Sequence, residues 1–125
     1  MKIIEIEKFG NSEVLKLKDI KLGDPNPDEV QIKHVAIGLN YIDTYHRSGL
    51  YPVPLPSGIG LEASGMIEKV GDKVKNFKVG DSVAYAAAPI GSYSTHRNYP
   101  TKNLVKVPND IDLEVVASLM TKGLT

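Results

Sequence analysis

Tyr41, Tyr45 and Tyr51 are half of the chain's six tyrosines, and they lie in one short stretch. Each tyrosine presents a flat apolar body and a polar tip, so such a cluster can stack on a planar ligand while donating a hydrogen bond. The competing use is plain loop packing beside Pro52, Pro54 and Pro56. Asp43 and Arg47 are four residues apart, a spacing at which a local helix lets them pair. Metal chemistry is poorly supplied. The chain has no cysteine, which excludes thiolate sites and disulfides. His34, His46 and His96 share no close ligand spacing, and the single carboxylate Glu62 makes no site by itself.

The elements that must hold these residues are short and mostly extended. Residues 2–7 alternate, 9–12 carry turn chemistry, and 14–18 alternate again, which predicts a hairpin. Residues 23–28 form a loop, because prolines donate no ladder hydrogen bond. Residues 29–39 read as a more buried strand with Val30, Ile32, His34 and Ala36 on one face. Residues 41–48 predict a short helix closed by Gly49, and the following prolines force an extended loop. Further strands are expected over 61–70, 82–88, 92–98 and 103–107. From Asp112, a fair N-cap, the residues Leu113, Val116, Ala117, Met120 and Leu124 recur at helical spacing. Many short strands, glycine-rich turns and a few short helices predict a mainly β fold, a partly open β-barrel. Gly65, Gly71 and Gly80 read as structural turns or close approaches.

At 125 residues with a formal net charge of +0, one domain is expected and nucleic acid is a poor partner. No apolar run is long enough for a signal peptide or membrane span, so the expectation is a soluble cytoplasmic protein with no membrane partner.

Three stretches carry a specific resemblance. The first runs from Gly38-Leu39-Asn40-Tyr41-Ile42-Asp43 through Arg47-Ser48-Gly49-Leu50-Tyr51-Pro52. The second is Gly58-Ile59-Gly60-Leu61-Glu62-Ala63-Ser64-Gly65. The third is Val70-Gly71-Asp72-Lys73-Val74 with Phe77-Lys78-Val79-Gly80-Asp81-Ser82-Val83. In this order and spacing they resemble the medium-chain dehydrogenase/reductase superfamily, in its zinc-free, zeta-crystallin-like quinone oxidoreductase branch. The final Lys122-Gly123-Leu124-Thr125 resembles the segment leading into that family's cofactor domain.

The resemblance implies a GroES-like, alcohol dehydrogenase-like amino-terminal domain over 1–125, cut before the nucleotide-binding Rossmann domain. It implies hydride transfer from NADPH to a quinone or an activated alkene. Zinc-binding members place a Cys and a His where this chain has Asn40 and Leu61, so no zinc is expected. By resemblance, Asn40, Asp43 and Tyr45 take catalytic positions, and Asn40, Ile42, Tyr45, Tyr51, Leu61 and Thr125 contact the cofactor. No general base is assigned, because a reduced quinone can take its proton from solvent. The 125 residues contain no Gly-x-Gly-x-x-Gly fingerprint. The isolated chain is therefore expected to be inactive and to bind NADPH weakly. A non-catalytic barrel module and the subunit of a divided reductase are the alternatives. In the family, the loop around Tyr45 and the helix from Asp112 line a cleft between domains. With that cleft facing water, a homodimer is expected.

Overall fold

In the computed structural model, which describes residues 1–108 and 110–116, the alternating first segment forms β1 (Lys2–Ile6). It pairs antiparallel with β2 (Leu15–Asp19), in a register that sets Ile4 opposite Leu17. β3 (Glu29–Gly38) is followed by α1 (Tyr41–Ser48), then by the two-residue β4 (Ser57–Gly58), which pairs with the other edge of β1. β5 (Glu62–Val70), β6 (Ser82–Ala86), β7 (His96–Pro100) and β8 (Val105–Lys106) complete the described strands. They join β3 in an antiparallel sheet of order β7-β3-β5-β6-β8, beside the sheet β2-β1-β4. Among the described residues, an isolated bridge joins Ile3 of β1 to Ser94, just before β7, and the two sheets do not close on each other. The fold is mainly β, a partly open barrel.

The two-residue period of β3 works as its sequence requires. Val30 and Ile32 are fully buried, while Lys33, Val35 and Ile37 on the opposite face are exposed. Gln31 breaks the pattern: it is buried on the other face, where its amide bonds Gly23 O and Asn98. Irregular register at Gln31/Ile32 and at His34/Ala36 bends β3 around the barrel. The main core gathers Val30, Ile32, Ala63, Ile67, Val83, Tyr85, Tyr99 and Leu104, with a smaller cluster of Ile6, Val14 and Ile59 under β1.

Two expected strands differ from the structure. The ladder predicted over 92–98 starts only at His96, because the backbone before it is spent elsewhere. Tyr93 N bonds Ile59 O, Ile4 N bonds Tyr93 O, and Thr95 N bonds Lys2 O, so this segment stitches the barrel to β1. The strand expected over 103–107 shrinks to Val105–Lys106, since Thr101–Asn103 makes a 3-10 turn with Leu104 N on Thr101 O. β4 was not foreseen; two residues between prolines and glycines carry no periodicity. Asp112 does begin a helical turn, with its Oδ1 taking Glu114 N at 2.9 Å and its carbonyl taking Val116 N. Ala117, Met120, Leu124 and Thr125 lie outside the described residues.

Candidate active site

β3 ends at Gly38, and two residues later Asn40, in extended conformation, opens α1. The helix start is self-capped. Asp43 N bonds Asn40 O at 3.0 Å, and Asn40 N donates to Asp43 Oδ2 at 3.1 Å. Its end is equally defined: Gly49 has φ 87°, and a Cβ there would press on the Phe9 ring at 2.9 Å, so both the turn and the packing call for glycine. The other strand of the site is β5, whose first residue Glu62 lies opposite Gly38 in the ladder. The third support is the stitch segment, which carries Tyr93.

Asp43 is only 4% exposed. Its Oδ2 takes the Tyr93 hydroxyl at 2.7 Å as well as Asn40 N, while its Oδ1 is buried without a hydrogen-bond partner. Burial first, and then the hydrogen bond to this carboxylate, push the Tyr93 phenol above its usual range. The expected Asp43–Arg47 pair is not formed. Asp43 turns inward to Tyr93, and Arg47 Nε donates instead to Gly10 O at 3.3 Å. Helical spacing allowed the pair; the burial of Asp43 against Tyr93 and the bond of Arg47 to Gly10 O replace it.

Asn40 Nδ2 donates to Glu62 Oε1 at 3.1 Å, and Glu62 is 2% exposed. Asn40 lines a surface cleft of about 330 Å³ with Leu39, Tyr41, Thr44 and Tyr93. Tyr45 and Tyr51 are not in its wall. They stand beside it as an edge-to-face pair, ring centroids 5.3 Å apart, with Tyr51 N on Tyr45 O at 3.2 Å. Both rings are exposed, as is Tyr41 at 84%. Ile42 and Leu61 are half-buried, and neither lines the cleft. The structure thus brings Asn40, Asp43 and the tyrosines to one end of the barrel, but in two layers: a buried polar clamp and an exposed aromatic rim. Tyr93 belongs to the clamp across 50 residues of sequence, and no motif or periodicity marked it.

A second groove, about 430 Å³, adjoins the cleft and shares Leu39 and Tyr93 with it. Ile3, Ile4, Leu17 and Ile37 make it apolar. Among the described residues no group of three or more His, Cys, Asp or Glu is placed to hold a metal ion.

An antiparallel, partly open barrel with a capped helix between its third and fifth strands is the architecture of a GroES-like domain. The sequence pattern of the alcohol dehydrogenase GroES-like domain matches residues 26–109, and the chain belongs to that family. Within it, the chain is similar to quinone oxidoreductases. It is 50% identical to the quinone oxidoreductase of Pseudomonas aeruginosa, over 99% of this chain and 38% of that protein. The crystal structure of the Escherichia coli quinone oxidoreductase complexed with NADPH superposes with a TM-score of 0.96 at 45% identity, covering 99% of this chain and 38% of that one. The 2-haloacrylate reductase of a Burkholderia species is 42% identical over 96% of this chain and 38% of its own length. The chain therefore spans 38% of the length of these curated relatives. No described helix is long and apolar enough to cross a membrane.

Proposed function

We propose that this chain is the GroES-like part of an NADPH-dependent reductase of quinones or activated alkenes that works without zinc. The observation that carries the reading is the donor set. Where zinc-binding members of the superfamily supply Cys and His, this chain supplies Asn40, which lines the cleft with Leu39, Tyr41, Thr44 and Tyr93, and Leu61, which does not line it. An amide is a weak zinc ligand and an alkyl side chain is none. The relatives named as quinone oxidoreductases and as a 2-haloacrylate reductase support the acceptor class.

The residues fit one end of the cofactor. Asn40 and the rim of Tyr41, Tyr45 and Tyr51 offer an amide and aromatic faces, which suit a nicotinamide ring and its planar acceptor. The phosphates are not provided for here. The N-terminus of α1 already holds the Asp43 carboxylate, which repels a second anion. Phosphates and adenosine then belong to a nucleotide-binding part outside these 125 residues.

NADPH, when bound, supplies the hydride. The chain's own task is placement: the clamp of Asn40, Asp43 and Tyr93 holds the start of α1, and the tyrosine rim orients the acceptor. A quinone that gains hydride on one oxygen or carbon needs one proton to become the hydroquinone, and solvent at the exposed rim delivers it.

Metal analysis and NADPH titration of the purified chain test this together. The expected result is zinc far below one per chain, with NADPH binding weaker than the low micromolar range, which is worth about −8 kcal/mol. Stoichiometric zinc, or tight NADPH binding by the chain alone, overturns the assignment.

A homodimer of the isolated chain is part of the same proposal. Leu17, Ile37 and Leu39 stand exposed around the apolar groove. Beside them, β3 has no described strand partner on its β7 side past His34. Unpaired edges of this kind invite a second copy. Sedimentation at micromolar concentration should give twice the chain mass; a single species at 13.6 kDa ends the idea.

A further inference from the structure

The proposed chemistry has no use for Glu62, yet the barrel buries its carboxylate under the site. Glu62 is 2% exposed, and its Oε1 takes one N–H of the Asn40 amide at 3.1 Å. Burying a carboxylate is costly unless it is well bonded, and the Asn40 amide supplies one of its hydrogen bonds. The neighbouring strand is shaped around it. Gly38 lies opposite Glu62 in the β3–β5 ladder, and a Cβ on Gly38 would overlap the carboxylate and stand 2.8 Å from Glu62 Cγ. A side chain at position 38 would therefore evict the carboxylate from beneath Asn40.

The contact has a chemical consequence. A carboxylate only accepts hydrogen bonds, so Asn40 must turn its nitrogen toward β5 and its carbonyl oxygen the other way. An amide free to flip would present the site with two different faces. Asn40 is also the residue that opens α1 and lines the cleft, so its orientation passes directly to whatever binds there.

We propose that Glu62 is a positioning residue of this site: its buried carboxylate locks the Asn40 amide in one orientation and so fixes the hydrogen-bonding face offered to the nicotinamide end of the cofactor. That last step rests on the reading that the cleft takes NADPH; the locking itself does not. A purely structural Glu62 would stabilise the barrel without governing the amide, and the two roles separate experimentally.

The test is the side-chain amide spectrum of the ¹⁵N-labelled 125-residue chain, with the Asn40 pair assigned by its loss in Asn40→Ser. In the unmodified chain, one Asn40 pair is expected, with an NOE from Asn40 Hδ2 to Glu62 Hγ. In Glu62→Gln the pair should shift or double, because a glutamine can face the amide with either end. Gly38→Ala keeps the charge but displaces the carboxylate, and should produce the same change. An Asn40 pair that stays in place in either folded variant, or no Hδ2–Hγ NOE in the unmodified chain, overturns the locking. The NOE decides the matter even if neither variant folds.

Millimolar NADPH supplies the second arm. Ring shifts of Tyr45 and Tyr51 should report binding that is about tenfold weaker in Glu62→Gln, the loss of one oriented hydrogen bond. Equal binding by both proteins shows that the locked amide does not serve the cofactor and overturns that part. No ring shift in the unmodified chain sinks the NADPH reading instead, while the amide spectrum still decides the locking.

Discussion

Five of the six tyrosines divide into two regions that obey opposite rules. Inside the five-stranded sheet, Tyr85 and Tyr99 are fully buried and stacked, centroids 4.1 Å apart at 22°. Arg97 lies over both rings, at 5.4 and 5.0 Å. Their hydroxyls are consumed internally: Tyr99 donates to Ala87 O at 2.9 Å, and Tyr85 bonds His34 Nε2 at 2.9 Å. At the end of the barrel, Tyr41, Tyr45 and Tyr51 keep their rings exposed. Tyr93 stands between the two kinds, half-buried, with its hydroxyl on a buried carboxylate. The difference teaches that residue type says little here; a tyrosine whose hydroxyl and ring are both spent on the fold has nothing left for a ligand.

The comparison breaks most visibly on truncation. Tyr85→Ala should cost about 3–5 kcal/mol in urea unfolding, the usual loss for a large buried aromatic, whereas Tyr41→Ala should stay within about 0.5 kcal/mol. Similar losses at both positions would mean that the rim is packed and the division is false.

Acidity is the next lever. His34 Nδ1 lies 2.8 Å from Ser94 O, and a carbonyl only accepts, so the proton sits on Nδ1 and Nε2 is left to accept the Tyr85 hydroxyl. Burial, seconded among the lowering causes by the Arg97 charge, brings the His34 pKa from 6.5 down to about 4. The folded protein thus refuses a proton that the unfolded chain takes up below pH 6.5. Stability should fall as pH drops from 6.5 to about 4, by a total of about 3 kcal/mol from this group. His34→Gln should flatten that slope in unfolding measured from pH 7 to 4; an unchanged slope refutes the assignment of the loss to His34.

Removing one hydroxyl at the clamp is a smaller change. Tyr93→Phe strips Asp43 Oδ2 of one of its two donors and should cost about 1–2 kcal/mol, less than full exposure of the carboxylate, because Asn40 N remains. The same variant should move the backbone resonances of Asn40 and Asp43, and a silent α1 would place Tyr93 outside the clamp.

The smallest effect sharpens the rim. Tyr45→Ala loses only an edge-to-face contact with Tyr51, worth about 0.5–1.5 kcal/mol between buried rings and less at this exposed pair. Its stability should be almost unchanged, while NADPH-induced shifts at Tyr51 weaken. A large loss of stability would make this pair part of the fold.

Local chemistry was legible in the residues alone. The alternation of β1 to β3, the helix over 41–48 and its glycine end follow from periodicity and from the conformational needs of one residue, Gly49 at φ 87°. The three motifs in order also identified the family. What the sequence by itself could not decide was which polar groups meet across the barrel. Asp43 had an obvious partner four residues on in Arg47, and the fold chose Tyr93, 50 residues away, because α1 turns Asp43 inward, where the Tyr93 hydroxyl meets it. Likewise, Gly38 became the place for the Glu62 carboxylate only once the β3–β5 register set them opposite each other. Helix ends and strand faces are fixed by neighbours in the chain, whereas register and burial are fixed by the packing of strands distant in sequence, and that packing divides the tyrosines, orients Asn40 and builds the site.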